Sequence, residues 1–183
     1  MKNAKQYEKK IKKLLTGMDK SRPKTETDDD PIGVLVGAVM SSDATRAQAK
    51  KALELLDEEF VDYNELRGSP PRDMIAILDN DFPNPVARGE QLSKALGNIF
   101  TRVCELSVEY MEKMSKRDLR KHLREIGMDQ YSSAVMIQKV FAGHAIPVDQ
   151  TLVDCLIMND CVAPDTDIDD VQKFLERIIR STG

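Results

Sequence analysis

The chain has 183 residues, of which 41% are hydrophobic and 32% charged, and its formal net charge is −4. This length and composition fit one compact domain or two small lobes, and they exclude a disordered chain. The negative charge argues against a nucleic-acid partner, because neutralising phosphates usually requires a basic surface. Few aromatic residues and no Trp favour helices over a β-sandwich.

No apolar run reaches the about 20 residues that a membrane span requires. The N-terminal segment also lacks the apolar stretch and cleavage site of a signal peptide. The three cysteines form no CxxC pair, which argues against a disulfide framework, a zinc site or an iron–sulfur cluster. We therefore predict a cytoplasmic protein, nucleoid-associated if the source is prokaryotic, with no membrane partner and no metal site.

Helical spacing of apolar residues is clear from the start of the chain. Residues 3–18 are predicted to form an amphipathic helix with a lysine-rich outer face, followed by a polar loop over residues 21–30. Asp30 followed by Pro31 is typical of a helix start. The segment IGVLVGAVM after it is apolar on every side, which predicts a central, buried helix.

The middle of the chain continues the same periodicity. Residues 41–46 form a polar break, and a short helix is predicted through Met74 and Leu78. The clearest helix is predicted to run from Leu92 to Tyr110 over five turns. A further helix before these two is indicated by Ala49, Ala52, Leu53, Leu56 and Phe60.

Capping residues mark the later helices. Ser115 with Asp118 predicts a capped helix start, and Gly127 predicts its left-handed end. Helices are also predicted around residues 134–141, 151–159 and 168–178. No segment alternates with period two, so the fold class is all-α. His122 and His144 have no carboxylate at a telling spacing and receive no role.

Three segments are candidates for chemistry, and each has a plainer structural reading. Asp149 stands where a helix begins, a place where Asp is more often a cap than a catalyst, although a capped carboxylate is also held rigidly. The turn in LREIGMDQYSSA could direct backbone amides at a phosphate, or could simply connect two helices. The break MSSDATR is otherwise a plain loop.

In this order and spacing, the three segments resemble the helix–hairpin–helix DNA glycosylases, the endonuclease III-like superfamily. VMSSDATR is similar to the superfamily's LLSAQATD motif, and IGMDQYSSA to its LPGVGRKTA hairpin. VDQT, which places Asp149 eighteen residues beyond Tyr131, is similar to the VDTH motif that carries the catalytic Asp. CVAPDTDIDDVQKFLERII is similar to a later segment. The resemblance runs from about residue 30 to residue 179.

The resemblance implies a two-lobed helical bundle and a monomer that binds double-stranded DNA. One lobe would be a six-helix, barrel-like unit over residues 31–146, with the helix–hairpin–helix at about 116–142. The other would combine residues 1–30 and 147–183. The four-cysteine segment of many members has no counterpart here. No cofactor is therefore expected, apart from a monovalent cation that the hairpin could hold.

The implied activity is that of a base-excision-repair glycosylase without lyase activity. Tyr131 aligns with the hairpin lysine that forms the imine in bifunctional members, and a tyrosine cannot form it. The thymine- and uracil-type glycosylases of the superfamily carry tyrosine there, which favours such a substrate. Asp149 would stabilise positive charge on the sugar and orient the attacking water. Tyr131 would line the pocket, with simple packing as the alternative.

The implied DNA contacts lie in the hairpin and the early loop. Gly127 and the amides of Met128 and Gln130 would face one phosphate, with positive charge supplied by Lys139. The early loop is the MSSDATR break. Its candidates for contact with the flipped base, or with the gap that the base leaves in the duplex, are Ser41 and Ser42, which could equally cap a helix end. Asp43 stands at the position of the family's wedge residue.

Two acidic residues argue against this reading. Asp129 replaces the second hairpin glycine, and Asp43 replaces the wedge glutamine, so both would bring negative charge towards DNA. The alternative is an inactive endonuclease III-like relative that serves as a DNA- or protein-binding module. A third possibility is an unrelated small substrate, for which the sequence has no motif.

Overall fold

In a computed structural model of the chain, residues 4–18, 30–78 and 81–179 are described. Regular structure in these ranges consists of ten α-helices and one 3₁₀ turn, without strands, so the predicted all-α class is confirmed. The chain divides into two compact units, Asp28–Pro147 and Met1–Thr27 with Val148–Gly183. Most of the predicted loop at residues 21–30 lies outside the described residues.

The larger unit has seven described α-helices rather than the expected six. The additional helix is a short one at Tyr63–Gly68, which Asp62 caps by accepting hydrogen bonds from the amides of Asn64 and Glu65. The helices are α2 (Pro31–Ser41), α3 (Arg46–Glu59), α4 (Tyr63–Gly68), α5 (Pro71–Ile77), α6 (Pro85–Val103), α7 (Lys116–Glu125) and α8 (Gln130–Lys139), with a 3₁₀ turn at Glu109–Met111 between α6 and α7.

Helix α2 is the centre of this unit, as its all-apolar sequence predicts. Asp30 caps it by accepting hydrogen bonds from the amides of Ile32 and Gly33, and Pro31 is its first residue. Leu35 and Val39 are fully buried, and the helix packs against α3, α6 and α8. This arrangement holds the turn after α2 and the start of α8 in one rigid core.

Helix α6 has the predicted length of 19 residues, but it begins and ends seven residues earlier than its sequence predicts. It ends at Val103 because Cys104 adopts a left-handed conformation, with φ of +61°. Leu106 and Tyr110 keep the helical spacing in the sequence without belonging to the helix. Both pack against the core from the segment that follows it. Tyr110 belongs to the 3₁₀ turn. The prediction of a helix through Tyr110 is therefore wrong.

The smaller unit contains α1 (Ala4–Met18), α9 (Gln150–Met158) and α10 (Ile168–Ile178). Its apolar interior is formed by one side of each helix, including the buried residues Ile11, Val153, Leu156, Val171, Phe174 and Leu175. Lys10 Nζ donates a hydrogen bond to the carbonyl oxygen of Asp160 at 3.0 Å, which ties α1 to the turn after α9. None of the helices described in either unit is long and apolar enough to cross a membrane.

Candidate nucleic-acid interface

The hairpin between α7 and α8 is closed by a Schellman motif. The amide of Gly127 donates to the carbonyl of Arg124, and the amide of Met128 donates to the carbonyl of Leu123, both at 3.0 Å. Gly127 has φ of +110°, so the predicted glycine C-cap is confirmed. A Cβ at Gly127 would lie 2.9 Å from side-chain carbons of Lys94. Both conformation and space therefore require glycine here.

The Schellman motif changes the expected phosphate contact. Because the Met128 amide is already engaged inside the hairpin, it is not available as the phosphate donor that the sequence predicted. The hairpin is also fixed to α6, since Asn98 Nδ2 donates to the carbonyl of Ile126 at 3.0 Å. The contacts expected of Gly127 and Gln130 remain predictions.

Asp129 begins α8 and is surrounded by donors. Its Oδ1 accepts hydrogen bonds from the Ser132 amide at 2.8 Å and from the Ser132 hydroxyl at 2.6 Å. Its Oδ2 accepts from the Ser42 hydroxyl at 3.0 Å and from Arg88 Nη1 at 2.6 Å. The carboxylate that replaces the hairpin glycine is thus both the N-cap of α8 and one half of an ion pair.

Arg88 connects this carboxylate to the early loop. The side chain, on the first turns of α6, is only 8% exposed, and its Nη2 lies 3.1 Å from Asp43 Oδ2. Nη1 also donates to Gln91 Oε1 at 2.8 Å, while Nε is buried without a hydrogen-bond partner among the described residues. We call the connected side chains of Ser42, Asp43, Arg88, Gln91, Asp129 and Ser132 the Arg88 cluster.

Hydrogen bonding within the Arg88 cluster favours the charged form of Asp129. Burial alone would raise the pKa of this carboxyl group, but the hydrogen bonds from Ser132 and Arg88 and the guanidinium charge outweigh burial and hold the pKa below its ordinary value. Asp129 therefore stays ionised at neutral pH and attracts Arg88 as a full charge.

The Arg88 cluster corrects the view of Asp43 and Asp129 as two uncompensated charges. One guanidinium faces both carboxylates, so two negative charges are offset by one positive charge. The sequence contained a signal for this residue, since Arg88 lies four residues before the buried Leu92 and eight before the buried Leu96, on the same face of α6. An arginine on a core-facing stripe requires an acidic partner.

The early-loop serines have different environments. Ser42 is 2% exposed and donates to Asp129, whereas Ser41 is half-buried and donates to the carbonyl of Gly37 at 2.7 Å. Asp43 follows with φ of +57°, which turns the chain sharply after α2. The Ser42 hydroxyl is thus committed to the hairpin carboxylate and is not the base contact that the sequence predicted.

The other predicted residues of α8 lie at its two ends. Tyr131, in the first turn, is half-buried and packs against the core. Lys139 is exposed in the last turn, nine residues beyond Gln130, or roughly 13 Å along the helix. Lys139 therefore does not assist the hairpin locally.

Asp149 belongs to the smaller unit, and its predicted cap is confirmed. The carboxylate begins α9, and its Oδ1 accepts a hydrogen bond from the Leu152 amide at 2.8 Å. The side chain is half-buried. Its Oδ2 accepts no hydrogen bond from the part of the chain that the structure describes. One oxygen is thus fixed by the helix, and the orientation of the other is fixed with it.

His122 has partners that its sequence position did not suggest. Its Nε2 is hydrogen-bonded to the Tyr110 hydroxyl at 2.9 Å, and its Nδ1 lies 3.7 Å from Glu125 Oε2. Burial lowers the pKa of the imidazole and raises the pKa of the Tyr110 phenol. The expectation of no nearby carboxylate is therefore wrong. His122 is buried, Tyr110 is half-buried against the core, and the two rings pack edge to face, as expected of a structural contact.

Solved structures share this arrangement of helices. A trapped covalent endonuclease III–DNA intermediate superposes with a TM-score of 0.72 at 17% identity, over 98% of this chain and 80% of that chain. The chain has the endonuclease III-like fold. No family model matches the sequence. No curated protein matches it either.

Two further solved proteins with the endonuclease III-like fold are similar to the chain. The 8-oxoguanine glycosylase/lyase of Clostridium acetobutylicum in complex with DNA has a TM-score of 0.68 at 16% identity, over 96% of this chain and 64% of its own. A thermostable thymine-DNA glycosylase has a TM-score of 0.63 at 15% identity, over 98% of this chain and 82% of its own. At such identities the comparison establishes the fold.

Proposed function

We propose that the protein is a monofunctional DNA glycosylase, which hydrolyses the N-glycosidic bond of a damaged or mismatched base in double-stranded DNA, with thymine or uracil as the favoured base type. The observation that carries this proposal is the fixed carboxylate of Asp149 at the start of α9. Its segment VDQT resembles the VDTH motif that carries the catalytic Asp, and the chain has the endonuclease III-like fold.

The reaction requires the target nucleotide to leave the base stack before its bond is cleaved. Breaking the bond to the base builds positive charge on the sugar. A carboxylate that is already oriented stabilises that charge without reorganising during the reaction. The Leu152 amide holds one oxygen of Asp149, and the second oxygen is in a fixed position to accept a proton from the attacking water.

Water, rather than a side chain, is the nucleophile in this proposal. By its resemblance to the hairpin motif, Tyr131 aligns with the lysine that attacks the sugar in bifunctional enzymes, and a phenol cannot form the imine that leads to strand cleavage. The proposed role of Tyr131, half-buried at the start of α8, is to line the pocket for the base. The product is therefore an abasic site in an intact strand.

Asp43 and Asp129 would oppose docking on DNA if their negative charges were not offset. The Arg88 guanidinium offsets one of the two charges at Asp43 and Asp129, and hydrogen bonds occupy both oxygens of Asp129. The hairpin backbone around Gly127 and Gln130 is proposed to approach one phosphate, as helix N-termini do in other proteins. The Arg88 cluster thus supports a DNA-binding hairpin despite its acidic sequence.

The experiment is incubation of the protein with duplexes that contain uracil, a thymine–guanine mismatch, 8-oxoguanine or an alkylated base. We expect base release from the uracil or mismatch duplex and strand breakage only after alkali. Treatment with borohydride should trap no protein–DNA adduct. A trapped adduct would contradict the monofunctional mechanism. Duplex binding without any base release would instead support the inactive, DNA-binding alternative, which the net charge of −4 and the acidic hairpin favour.

A further inference from the structure

Helix α7 carries a concentration of positive charge that the proposed reaction does not use. Five cations within nine residues line one surface groove of about 710 Å³, together with a single carboxylate, that of Glu125. We call these cations the α7 basic face: Lys116, Arg117, Arg120, Lys121 and Arg124. In a chain of net charge −4, this local excess defines a surface for a negatively charged ligand.

The α7 basic face is unfavourable for the isolated helix. Lys116 and Arg117 lie in the first turn, where the positive end of the helix dipole disfavours cations. Lys116, Arg120 and Arg124 follow one another at intervals of four residues, a spacing at which like charges repel. Among residues 30–78 and 81–147 of this unit, no carboxylate lies within ion-pair distance of Lys116, Arg117 or Arg124. Lys116 and Arg117 therefore lack compensation within the helix, whereas Arg124, in the last turn, is favoured by the helix dipole.

A second groove, lined by both apolar and polar side chains, adjoins the α7 basic face, and Glu112 and His144 belong to its polar lining. It has a volume of about 460 Å³, and Lys116 and Arg120 line both depressions. We call it the methionine groove, after the apolar side chains that line it: Met111, Met114, Leu119, Ile137, Val140 and Phe141. Methionine and phenylalanine give such a groove an adaptable, polarizable lining that accepts apolar side chains of different shape.

We propose that the methionine groove and the α7 basic face together dock an acidic, amphipathic segment of a partner protein. Apolar side chains of the segment enter the groove, and its carboxylates meet Lys116, Arg117 and Arg120 at the rim. Two observations favour a peptide over a nucleic acid. The groove offers an apolar lining that the phosphates and sugars of a duplex backbone cannot fill, and the cations stand beside that lining on one continuous surface. This inference does not depend on glycosylase activity.

Rim charges of this kind mainly raise the association rate and make binding sensitive to salt, whereas the apolar contacts limit dissociation. The test uses a synthetic peptide of about 14 residues, long enough for an amphipathic helix. Leu and Phe lie on one face of that helix, and Glu and Asp lie on the other. Its binding to the isotope-labelled full chain is followed by NMR. We expect shifts in the amides of α7 and in the methyl groups of Met111 and Met114.

Matched variants distinguish this surface from general charge attraction. The exposed pair Lys116→Glu and Arg117→Glu should weaken peptide binding by about tenfold or more, which corresponds to about 1.4 kcal/mol. The control pair Lys50→Glu and Arg72→Glu changes the net charge equally on α3 and α5, outside both grooves, and should leave affinity unchanged within about twofold. Equal weakening by both pairs would overturn the proposal.

A second peptide and a duplex complete the test. Replacing Leu and Phe in the peptide by Ser should abolish the methyl shifts and lower affinity by about tenfold or more. An unchanged affinity would show that the methionine groove is not occupied and would overturn the proposal. A duplex of undamaged DNA that displaces the peptide and shifts the amides of Lys116 and Arg117, at the end of α7 away from the hairpin, would also overturn it, in favour of a phosphate-binding surface. Because neither arm measures base release, failure here is distinct from failure of the proposed reaction.

Discussion

Arg88 Nη1 lies 2.6 Å from Asp129 Oδ2, although the two residues are 41 positions apart. The same guanidinium reaches Asp43, 45 positions away, so one side chain on α6 holds both the turn after α2 and the start of α8. The two carboxylates are about one-third exposed, whereas the guanidinium is 8% exposed. Arg88 is therefore the buried, shared partner in this arrangement.

Replacement of Arg88 by Met should destabilise the protein by about 3 kcal/mol, because it leaves two neighbouring carboxylates without their cation. Urea unfolding, followed by circular dichroism, measures the change in the free energy of unfolding. Arg72→Met is the matched control, since Arg72 is 85% exposed, and its effect should stay within about 0.5 kcal/mol. Equal stability of Arg88→Met and wild type would show that the Arg88 cluster does not hold these segments together.

The lowered pKa of Asp129 predicts a pH-dependent contribution to stability. A carboxyl group whose pKa is lower in the folded than in the unfolded state stabilises the protein above its unfolded pKa, and this contribution is lost as the pH falls through the folded pKa. Asp129→Asn keeps a capping side chain but cannot pair with Arg88 as a charge. At neutral pH we expect the variant to be less stable than wild type by about 1 kcal/mol, a value that allows for partial solvent screening.

The difference between wild type and Asp129→Asn should shrink as the pH falls from about 5 to about 2, since protonation removes the same charge from the wild type. Parallel urea titrations of both proteins across this range measure the difference directly. Carboxylates outside the Arg88 cluster titrate equally in both proteins and cancel. A difference that stays constant with pH would contradict an ion pair at this position.

Two glycines provide a test of the hairpin backbone. Gly127→Ala should destabilise the protein by about 1–2 kcal/mol, because φ is +110° and a Cβ would approach Lys94 to 2.9 Å. Gly97 lies inside α6 with open space around its Cα, so Gly97→Ala should stabilise the protein by about 0.5–1 kcal/mol. In urea unfolding, we expect the two substitutions to change the free energy of unfolding in opposite directions. Stabilisation by both substitutions would mean that the hairpin does not require a left-handed residue.

Local signals in the sequence predicted several helix boundaries. Ser115 accepts from the amide of Asp118, Asp149 accepts from that of Leu152, and Gly127 ends α7, all as their sequence positions indicate. A cap depends on residues within one turn of the chain, so its pattern is visible in a short window. The end of α6 could not be read this way, because Leu106 and Tyr110 preserve the periodicity after Cys104 has broken the helix.

The partner of Asp43 and Asp129 lies too far along the chain to be recognised in a short stretch of sequence. Arg88 is more than 40 residues from either acid, and only the packing of α2, α6 and α8 brings the three together. The local sequence therefore indicates two negative charges but not the cation that they share. His122 and Tyr110 illustrate the same limit, since their contact depends on the chain reversal after α6.

The measurement that tests the proposed reaction most directly is the single-turnover rate of base release with Asp149→Asn, on whichever duplex the wild-type enzyme processes. Asparagine preserves the helix cap but removes the charge, so the rate should fall by about 10²- to 10³-fold while duplex binding is retained. Asp154→Asn, an exposed carboxylate on the same helix that accepts from Gln150, should retain the wild-type rate. An Asp149→Asn protein as fast as wild type would contradict the catalytic role of this carboxylate.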